Sequence, residues 1–252
     1  MNDEIPFFNA LAEEWWNPNG PQAMLHKVNP LRLRWIAQHG SLKDKKVLDV
    51  GCGAGLLSEG LAKMGAHVTG LDLGENLIRI AQDHAKAAGL EIDYICQPLA
   101  SFGEEAPEMQ PAQTYSACGL RNSRSALQEL PRQNFDAICC LEMLEHVDDF
   151  DAIIKEIAKR VKPNGYVFLS TIDRSPKAFL QVILAAEYLL KMIPRGTHHY
   201  AKLIRPEELT ASLRKHGLTP ISLSGLKYQP LLKTFSLGPK PEPNYWIVAK
   251  KD

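Results

Sequence analysis

A glycine-rich turn constrains the fold of this chain more than any other feature. Residues 47–50 are typical of a short buried strand, and Gly51, Gly53 and Gly55 follow it directly. Glycines let the backbone turn sharply and approach a ligand closely, and the free amides at the start of the next helix form a site for an anionic group. The following strand ends in Asp72, where a carboxylate is placed to accept hydrogen bonds from ribose hydroxyls. The pattern therefore predicts a nucleoside-type cofactor.

The spacing of the glycines separates two classes of cofactor. A dinucleotide fingerprint requires its third glycine one position later than Gly55, where this chain has Leu56, and it does not require an acid such as Asp49 before the first glycine. This disfavours an NAD-linked oxidoreductase. The form G-x-G-x-G preceded by an acid instead resembles motif I of the class I S-adenosylmethionine-dependent methyltransferases.

Composition excludes some partners and compartments. The 252 residues include 29 Lys and Arg and 29 Asp and Glu, so the formal net charge is zero and there is no electrostatic footprint for nucleic acid. The five cysteines include no C-x-x-C pair, so we expect reduced core thiols and a cytoplasmic location. The acidic first residues, with no apolar stretch after them, are unlike a secretory signal.

Strand-like and helix-like segments alternate from residue 47 onward, which is typical of a parallel sheet with crossover helices. We therefore divide the chain into an N-terminal helical extension, residues 1–40, and a cofactor-binding domain, residues 41–252. Residues 98–134 show little periodicity and are interpreted as an insertion. Predicted strands cover residues 47–50, 67–72, 93–96, 135–141, 166–171, 219–225 and 244–250, the last two joined by a connection. Predicted helices cover residues 75–88, 150–161 and 206–216.

The N-terminal extension carries aromatic residues at helical spacing, among them Phe7, Phe8, Trp15 and Trp16. A second helix is predicted over about residues 30–38. Large aromatic side chains would suit two roles here. They could pack the extension on the main domain, or they could form a lid over the cofactor and an apolar substrate, and both interpretations stay open.

Residues 176–194 form an apolar segment bounded by prolines and interrupted by Lys177, Gln181, Glu187 and Lys191. The segment is too polar and too short for a membrane span. One interpretation is a core helix. We favour an amphipathic element within a lipid- and substrate-facing stretch of about residues 176–200, because it follows a strand end near the ligand-binding edge of the sheet.

Several further stretches share a pattern with one family. They are Trp15-Trp16, residues 25–32 (LHKVNPLR), 142–147 (EMLEHV), 186–188 (AEY), 194–198 (PRGTH) and Tyr228-x-Pro230 before residues 235–239. Together with the glycine motif they resemble the ubiquinone-biosynthesis O-methyltransferases. The resemblance covers nearly the whole chain except residues 98–134, where this chain is longer than typical members. The Trp pair, the Asn-Pro-Leu-Arg run and the Gly-Thr-His run are the most specific parts.

The resemblance implies the class I methyltransferase fold, a Rossmann-like three-layer α/β sandwich with a mostly parallel seven-stranded sheet. It also implies methyl transfer from S-adenosyl-L-methionine to phenolic hydroxyls of 2-polyprenyl-6-hydroxyphenol and 3-demethylubiquinol. Two rival hypotheses remain: an O-methyltransferase that acts on another small phenol, and a non-catalytic methyltransferase-like scaffold.

The resemblance also assigns five residues to the cofactor. Arg32 would contact its carboxylate end. Gly51, with Gly53 of the same turn, would line its amino-acid and ribose part, and Asp72 would hold the ribose hydroxyls. Leu141, after the fourth strand, would supply a backbone or apolar contact.

Glu142, Glu145 and His146 are the candidate catalytic residues. They follow the carboxyl end of a strand, where α/β sheets place ligands, and in a helix their spacing would put all three on one face. An acceptor phenol, with a pKa of roughly 10 by analogy with tyrosine, must lose its proton. The three side chains could bind Mg²⁺ or a transition metal that lowers this pKa, or His146 could act directly as a general base. Acids at this place could also merely stabilise the start of a helix.

An isoprenoid tail partitions into membrane, so the resemblance implies partners beyond the cofactor. These are the polyprenylated phenol or quinol, an anionic membrane surface and other ubiquinone-biosynthesis proteins. Lys177, Lys191 and Arg195 beside the apolar segment suit contact with anionic headgroups. The expected location is cytoplasmic, with peripheral association with the inner membrane.

Overall fold

The computed structural model of the chain describes residues 4–102, 134–178, 200–229 and 234–252. Most of the predicted insertion at residues 98–134 and most of the predicted lipid-facing segment at residues 176–200 lie outside the described residues.

The described residues form one mixed sheet of eight strands. They are β1 Lys46–Val50, β2 His67–Asp72, β3 Ile92–Cys96, β4 Phe135–Leu141, β5 Val161–Ile172, β6 Leu218–Gln229, β7 Thr234–Gly238 and β8 Asn244–Lys251. Their order across the sheet is β3-β2-β1-β4-β5-β8-β6-β7. The pairs from β3 to β5 are parallel, and β8, β6 and β7 join antiparallel. The predicted mostly parallel α/β sheet is therefore confirmed.

Helices cover both faces of this sheet. They are α1 Ile5–Ala10, α2 Ala23–Ala37, α3 Leu56–Lys63, α4 Glu75–Ala87, α5 Phe150–Arg160, the single turn α6 Pro176–Ala178 and α7 Pro206–Lys215. Ile138 and Cys140 of β4 belong to the core cluster that includes residues of α5 and α7, whereas Ala137 and Cys139 belong to the cluster that includes α2 and α3. Successive strand residues point to opposite faces. Because both faces are covered, the strand is apolar from Ala137 to Leu141, as three layers require.

The number of strands differs from the predicted seven. The eighth, β7, lies in the stretch predicted to be a connection, and β6 continues to Gln229 instead of ending near residue 225. Tyr228 pairs opposite Phe235 with ring centroids 4.8 Å apart, and Phe235 and Leu237 pack on the cluster around α2. Antiparallel pairing and this packing stabilise a five-residue strand whose local signal is weak.

Helix α2 begins at Ala23 rather than near residue 30, and it keeps Pro30 in its interior. An interior proline removes a backbone hydrogen bond and normally breaks a helix. Here the neighbouring residues are anchored by tertiary contacts: Val28 is buried, and the Asn29 side chain donates to the carbonyl of Leu56 at 2.9 Å. These contacts hold the helix together across the proline and fix its position beside the start of α3.

Candidate active site

A cavity of about 310 Å³ opens at the carboxyl ends of the parallel strands. The predicted site residues that line it are Arg32, Gly51, Gly53, Asp72, Leu141, Glu142 and His146. Glu145 does not line it and is buried, with 2% of its surface exposed. The topology brings these distant residues together because the ends of parallel strands meet at one edge of the sheet.

The glycine turn lies under the N-terminal extension. Gly51, Gly53 and Gly55 have φ angles of 72°, 55° and 88°, which place them in the left-handed region that glycine adopts without strain. A Cβ atom on Gly53 would lie 2.4 Å from Cζ2 of Trp15. The Nε1 of Trp16 donates to the carbonyl of Ala54 at 3.0 Å. The extension thus both packs on the turn and contributes Trp15 to the cavity wall.

Two carboxylates flank the turn, the partly buried Asp72 and the buried Asp49. Asp72 accepts the backbone amides of Gly53 at 2.9 Å and Gly74 at 2.8 Å, one on each oxygen, and burial raises its pKa. Asp49 accepts the Ser58 hydroxyl at 2.6 Å, and burial raises its pKa to about 6. Each carboxylate oxygen of Asp72 can accept a further hydrogen bond, which leaves capacity for ligand hydroxyls.

Arg32 reaches the cavity from helix α2, and Leu141 reaches it from the end of β4. The side chain of Arg32 is 8% exposed, and its Nη2 lies 3.6 Å from Oε1 of Glu142. A buried guanidinium is stable only with anionic partners. The cavity therefore holds a cationic group on one side, suited to a ligand carboxylate.

The prediction that Glu142, Glu145 and His146 share one helical face is wrong. Glu142 has a φ angle of 56°, and only Leu144–His146 form a single 3₁₀ turn. A left-handed residue interrupts any helix at this point. The three side chains therefore have separate neighbours instead of projecting together.

Each of the three is engaged by a different group. Glu142 accepts hydrogen bonds from Ser170 and Asn244, and Glu145 accepts one from the Thr171 hydroxyl at 2.7 Å. Burial, followed by the charge of Glu142, raises the pKa of Glu145. Within the described ranges, no group of three or more His, Cys, Asp or Glu side chains could hold a metal ion. The structure does not support a Mg²⁺ site on these residues.

His146 is bound to the N-terminal extension. Its Nδ1 lies 2.5 Å from Oε2 of Glu4, and its ring meets Phe8 edge-on at a centroid distance of 5.2 Å. Burial alone would lower the pKa of His146, but the hydrogen bond to Glu4 and the charges of the surrounding glutamates raise it. For Glu4, burial alone would raise the pKa, but His146 and Lys202 lower it to about 2. The pair presents a basic imidazole at the cavity, supported by an ionised carboxylate.

Sequence reasoning missed Glu4, Ser170 and Asn244 as site residues. Ser170 directly follows the buried apolar run of residues 167–169, and a polar residue at such a place is a usable signal. Glu4 and Asn244 carry no local signal, because only the folding of distant segments brings them to the cavity.

The molecule is similar in fold to solved methyltransferases. It matches the magnesium protoporphyrin IX methyltransferase of Synechocystis PCC 6803 with bound SAH at a TM-score of 0.68 and 18% identity, covering 100% of this chain and 99% of that one. A SAM-dependent methyltransferase from Aquifex aeolicus matches at a TM-score of 0.59 and 14% identity, covering 98% of each chain. The fold is that of the class I S-adenosylmethionine-dependent methyltransferases.

Sequence comparison identifies the family within this class of methyltransferases. A family model described as a methyltransferase domain matches residues 15–223. The ubiquinone biosynthesis O-methyltransferase of Bordetella bronchiseptica RB50 is 42% identical over 249 residues, covering 98% of this chain and 93% of the relative. That of Pseudomonas putida W619 is 45% identical over 249 residues, covering 99% and 97%. The chain belongs to the ubiquinone biosynthesis O-methyltransferase family, which confirms the predicted family and type of enzyme.

In the described part of the chain, no helix combines the length and the apolar character that crossing a membrane requires.

Proposed function

We propose that this chain transfers the methyl group of S-adenosylmethionine to phenolic hydroxyls of polyprenylated intermediates of ubiquinone synthesis. The observation that carries the proposal is identity of 42–45% to ubiquinone biosynthesis O-methyltransferases over nearly the full chain. The cavity adds chemical support, since it places a cofactor-type glycine turn beside an imidazole.

In this proposal the cofactor lies along the glycine turn. Asp72 accepts the ribose hydroxyls, Gly51 and Gly53 let the backbone approach the ligand, and Arg32 binds the carboxylate. Leu141 supplies an apolar wall at the end of β4. The cationic and anionic ends of the cavity give the cofactor one orientation.

The protein's part in the chemistry is alignment and proton removal. The sulfonium of the bound cofactor makes its methyl group electrophilic, so the chain must mainly place the acceptor oxygen in line with it. His146 accepts the phenol proton as a general base, and Glu4 stabilises the imidazolium that forms. A raised imidazole pKa suits this role, because it brings the base closer to the pKa of the phenol.

A methyl-transfer assay with labelled S-adenosylmethionine and a short-tailed prenylated catechol tests the proposal. We expect turnover that is retained after treatment with a chelator, because alignment of the acceptor and proton removal by His146 do not use a metal. A soluble catechol without a tail is the matched substrate. Turnover of the soluble compound alone would favour an enzyme of small phenols, and cofactor binding without turnover of either would favour a scaffold.

We also propose that the enzyme takes its substrate at an anionic membrane surface. The support lies in the sequence of residues 176–200, where apolar residues such as Leu184 and Leu189 alternate with Lys177, Lys191 and Arg195. Apolar side chains would enter the interface while basic ones meet the headgroups.

Flotation with phosphatidylglycerol liposomes tests this second proposal. The double variant Leu184→Glu and Leu189→Glu should lose binding to the liposomes. Ile221→Glu is the control for an added negative charge, because it places one glutamate at an exposed apolar residue of β6, outside the segment. If the folded double variant floats like the parent, the segment is not the membrane contact.

A further inference from the structure

The carboxylate of Glu142 is held from two neighbouring strands. Its Oε1 accepts a hydrogen bond from the Ser170 hydroxyl of β5 at 2.5 Å, and its Oε2 accepts one from the Asn244 amide of β8 at 2.8 Å. The amide of Asn244 is itself oriented, because its Oδ1 accepts the indole N–H of Trp246 at 2.9 Å. Both oxygens of Glu142 are therefore held in place by hydrogen bonds from the protein.

The backbone of Glu142 is held at the same place. Its φ of 56° lies in the left-handed region, which is a strained conformation for a residue other than glycine. Its amide donates to the carbonyl of Ser170 at 3.1 Å and also lies 3.1 Å from the Ser170 hydroxyl. Strain of this kind persists only where the surroundings impose it. The structure keeps this carboxylate in one position at the expense of an ordinary backbone conformation.

The fixed carboxylate faces Arg32. The Nη2 of Arg32 lies 3.6 Å from Oε1 of Glu142, and the Arg32 side chain is only 8% exposed to solvent. The Nε of Arg32 is buried and has no hydrogen-bond partner among the described residues. An unused buried donor on a charged group is costly. A cavity-lining guanidinium with such a donor is prepared for an anionic ligand.

We infer that Ser170 and Asn244 are positioning residues that act through Glu142 on Arg32, and so set the affinity for S-adenosylmethionine rather than the rate of methyl transfer. The inference rests on the proposed function, in which Arg32 binds the cofactor carboxylate. A guanidinium pinned by a fixed counter-ion loses less freedom when a second carboxylate binds. Glu142 then has a role that its place in the motif did not indicate: it orients a cofactor-binding residue.

Isothermal titration of the full-length protein with S-adenosylhomocysteine measures the effect directly. We expect Ser170→Ala and Asn244→Ala each to raise the Kd about tenfold, the size typical of lost supporting hydrogen bonds at a binding site. At saturating S-adenosylmethionine, kcat should stay within about twofold of the parent, with the change appearing in KM. Ser212→Ala is the matched control, because it removes a buried serine hydroxyl that donates to Asp151 at 2.7 Å, away from the cavity.

A double-mutant cycle tests the route through Arg32. In the Arg32→Ala background, Ser170→Ala and Asn244→Ala should no longer change the Kd, because the residue they act on is gone. An unchanged or lower Kd in both single variants would overturn the inference, as would a fall in kcat at unchanged Kd. If one variant fails to fold, the other decides. Failure of the parent protein to bind S-adenosylhomocysteine would instead overturn the proposed function itself.

Discussion

The indole ring of Trp16 stacks on the imidazole ring of His84, with centroids 3.4 Å apart and planes 3° from parallel. The same indole donates to the carbonyl of Ala54 in the glycine turn, and Nδ1 of His84 lies 2.5 Å from Oε1 of the buried Glu59. Trp16 thus anchors the N-terminal extension to both the glycine turn and helix α4. This anchoring keeps the neighbouring Trp15 in the cavity wall.

Breaking the stack tests whether the extension acts as a lid. Trp16→Ala should lower the free energy of unfolding by about 2 kcal/mol and raise the Kd for S-adenosylhomocysteine about fivefold, because the cover over the turn loosens. Trp16→Phe keeps an aromatic ring but loses the indole N–H, so its loss of stability should be about 1 kcal/mol. Urea denaturation and calorimetry measure both quantities. Lower stability with unchanged Kd would mean that the extension only packs.

Two glycines with similar backbone angles should respond differently to alanine. Gly53 has a φ of 55° and Gly89 a φ of 67°, so both substitutions pay about 1–2 kcal/mol of backbone strain. A Cβ on Gly89 meets nothing within 4 Å, whereas a Cβ on Gly53 meets Trp15 at 2.4 Å. Gly53→Ala should therefore also weaken S-adenosylhomocysteine binding at least tenfold by calorimetry. Equal effects of the two variants on binding would contradict this account of the turn.

The buried carboxyl of Asp49 should make stability depend on pH. Burial raises its folded-state pKa from 3.8 to about 6, so the folded state binds the proton more tightly than the unfolded state. The stabilising contribution is complete below pH 3.8 and is lost as the pH rises through about 6. Between pH 5 and pH 7.5 this amounts to about 1–1.5 kcal/mol.

Asp49→Asn is the variant that isolates this effect, since an asparagine oxygen can still accept from Ser58. Urea denaturation of parent and variant at pH 5 and pH 7.5 should show the parent losing stability relative to Asp49→Asn as the pH rises. Parallel pH profiles would show that the carboxyl titrates normally in the folded protein.

Glu4 should matter for catalysis despite its distance in sequence from His146, 142 positions. Glu4→Ala removes the carboxylate that supports the imidazole, so kcat should fall about tenfold while KM for S-adenosylmethionine stays nearly constant. Glu13→Ala is the control, because Glu13 lies in the same extension, is 73% exposed and forms a surface ion pair with Arg79. Equal kcat values for the two variants would remove Glu4 from the mechanism.

Local sequence patterns were enough to predict the elements that have a clear periodicity or a glycine motif of their own. Alternation of apolar strands and amphipathic helices predicted the parallel half of the sheet. The glycine spacing predicted the turn after β1, since the angles at Gly51, Gly53 and Gly55 are ones that side chains resist. The carboxylate of Asp72 could be placed for the same reason, because a parallel strand brings its last residue to the ligand-binding edge.

Other features depend on residues that meet only after folding. The spacing of Glu142 and His146 suited a helix, but Ser170 and Asn244 hold Glu142 in a left-handed conformation that no local pattern indicates. The short strand β7 likewise exists because it pairs with β6 and packs toward α2. Tertiary contacts override local preference wherever several partners act on one residue.

The sequence by itself therefore indicated the family, through the motifs that resemble it. It also determined the cofactor class and the edge of the sheet where chemistry takes place, because these follow from periodicity and from the backbone freedom of glycine. Only the tertiary structure decided which side chains meet at that edge. The pairing of Arg32 with Glu142 and of Glu4 with His146 joins segments far apart in the chain. Their physical basis is the low dielectric of a buried cavity, where each charge needs a partner that only the fold can supply.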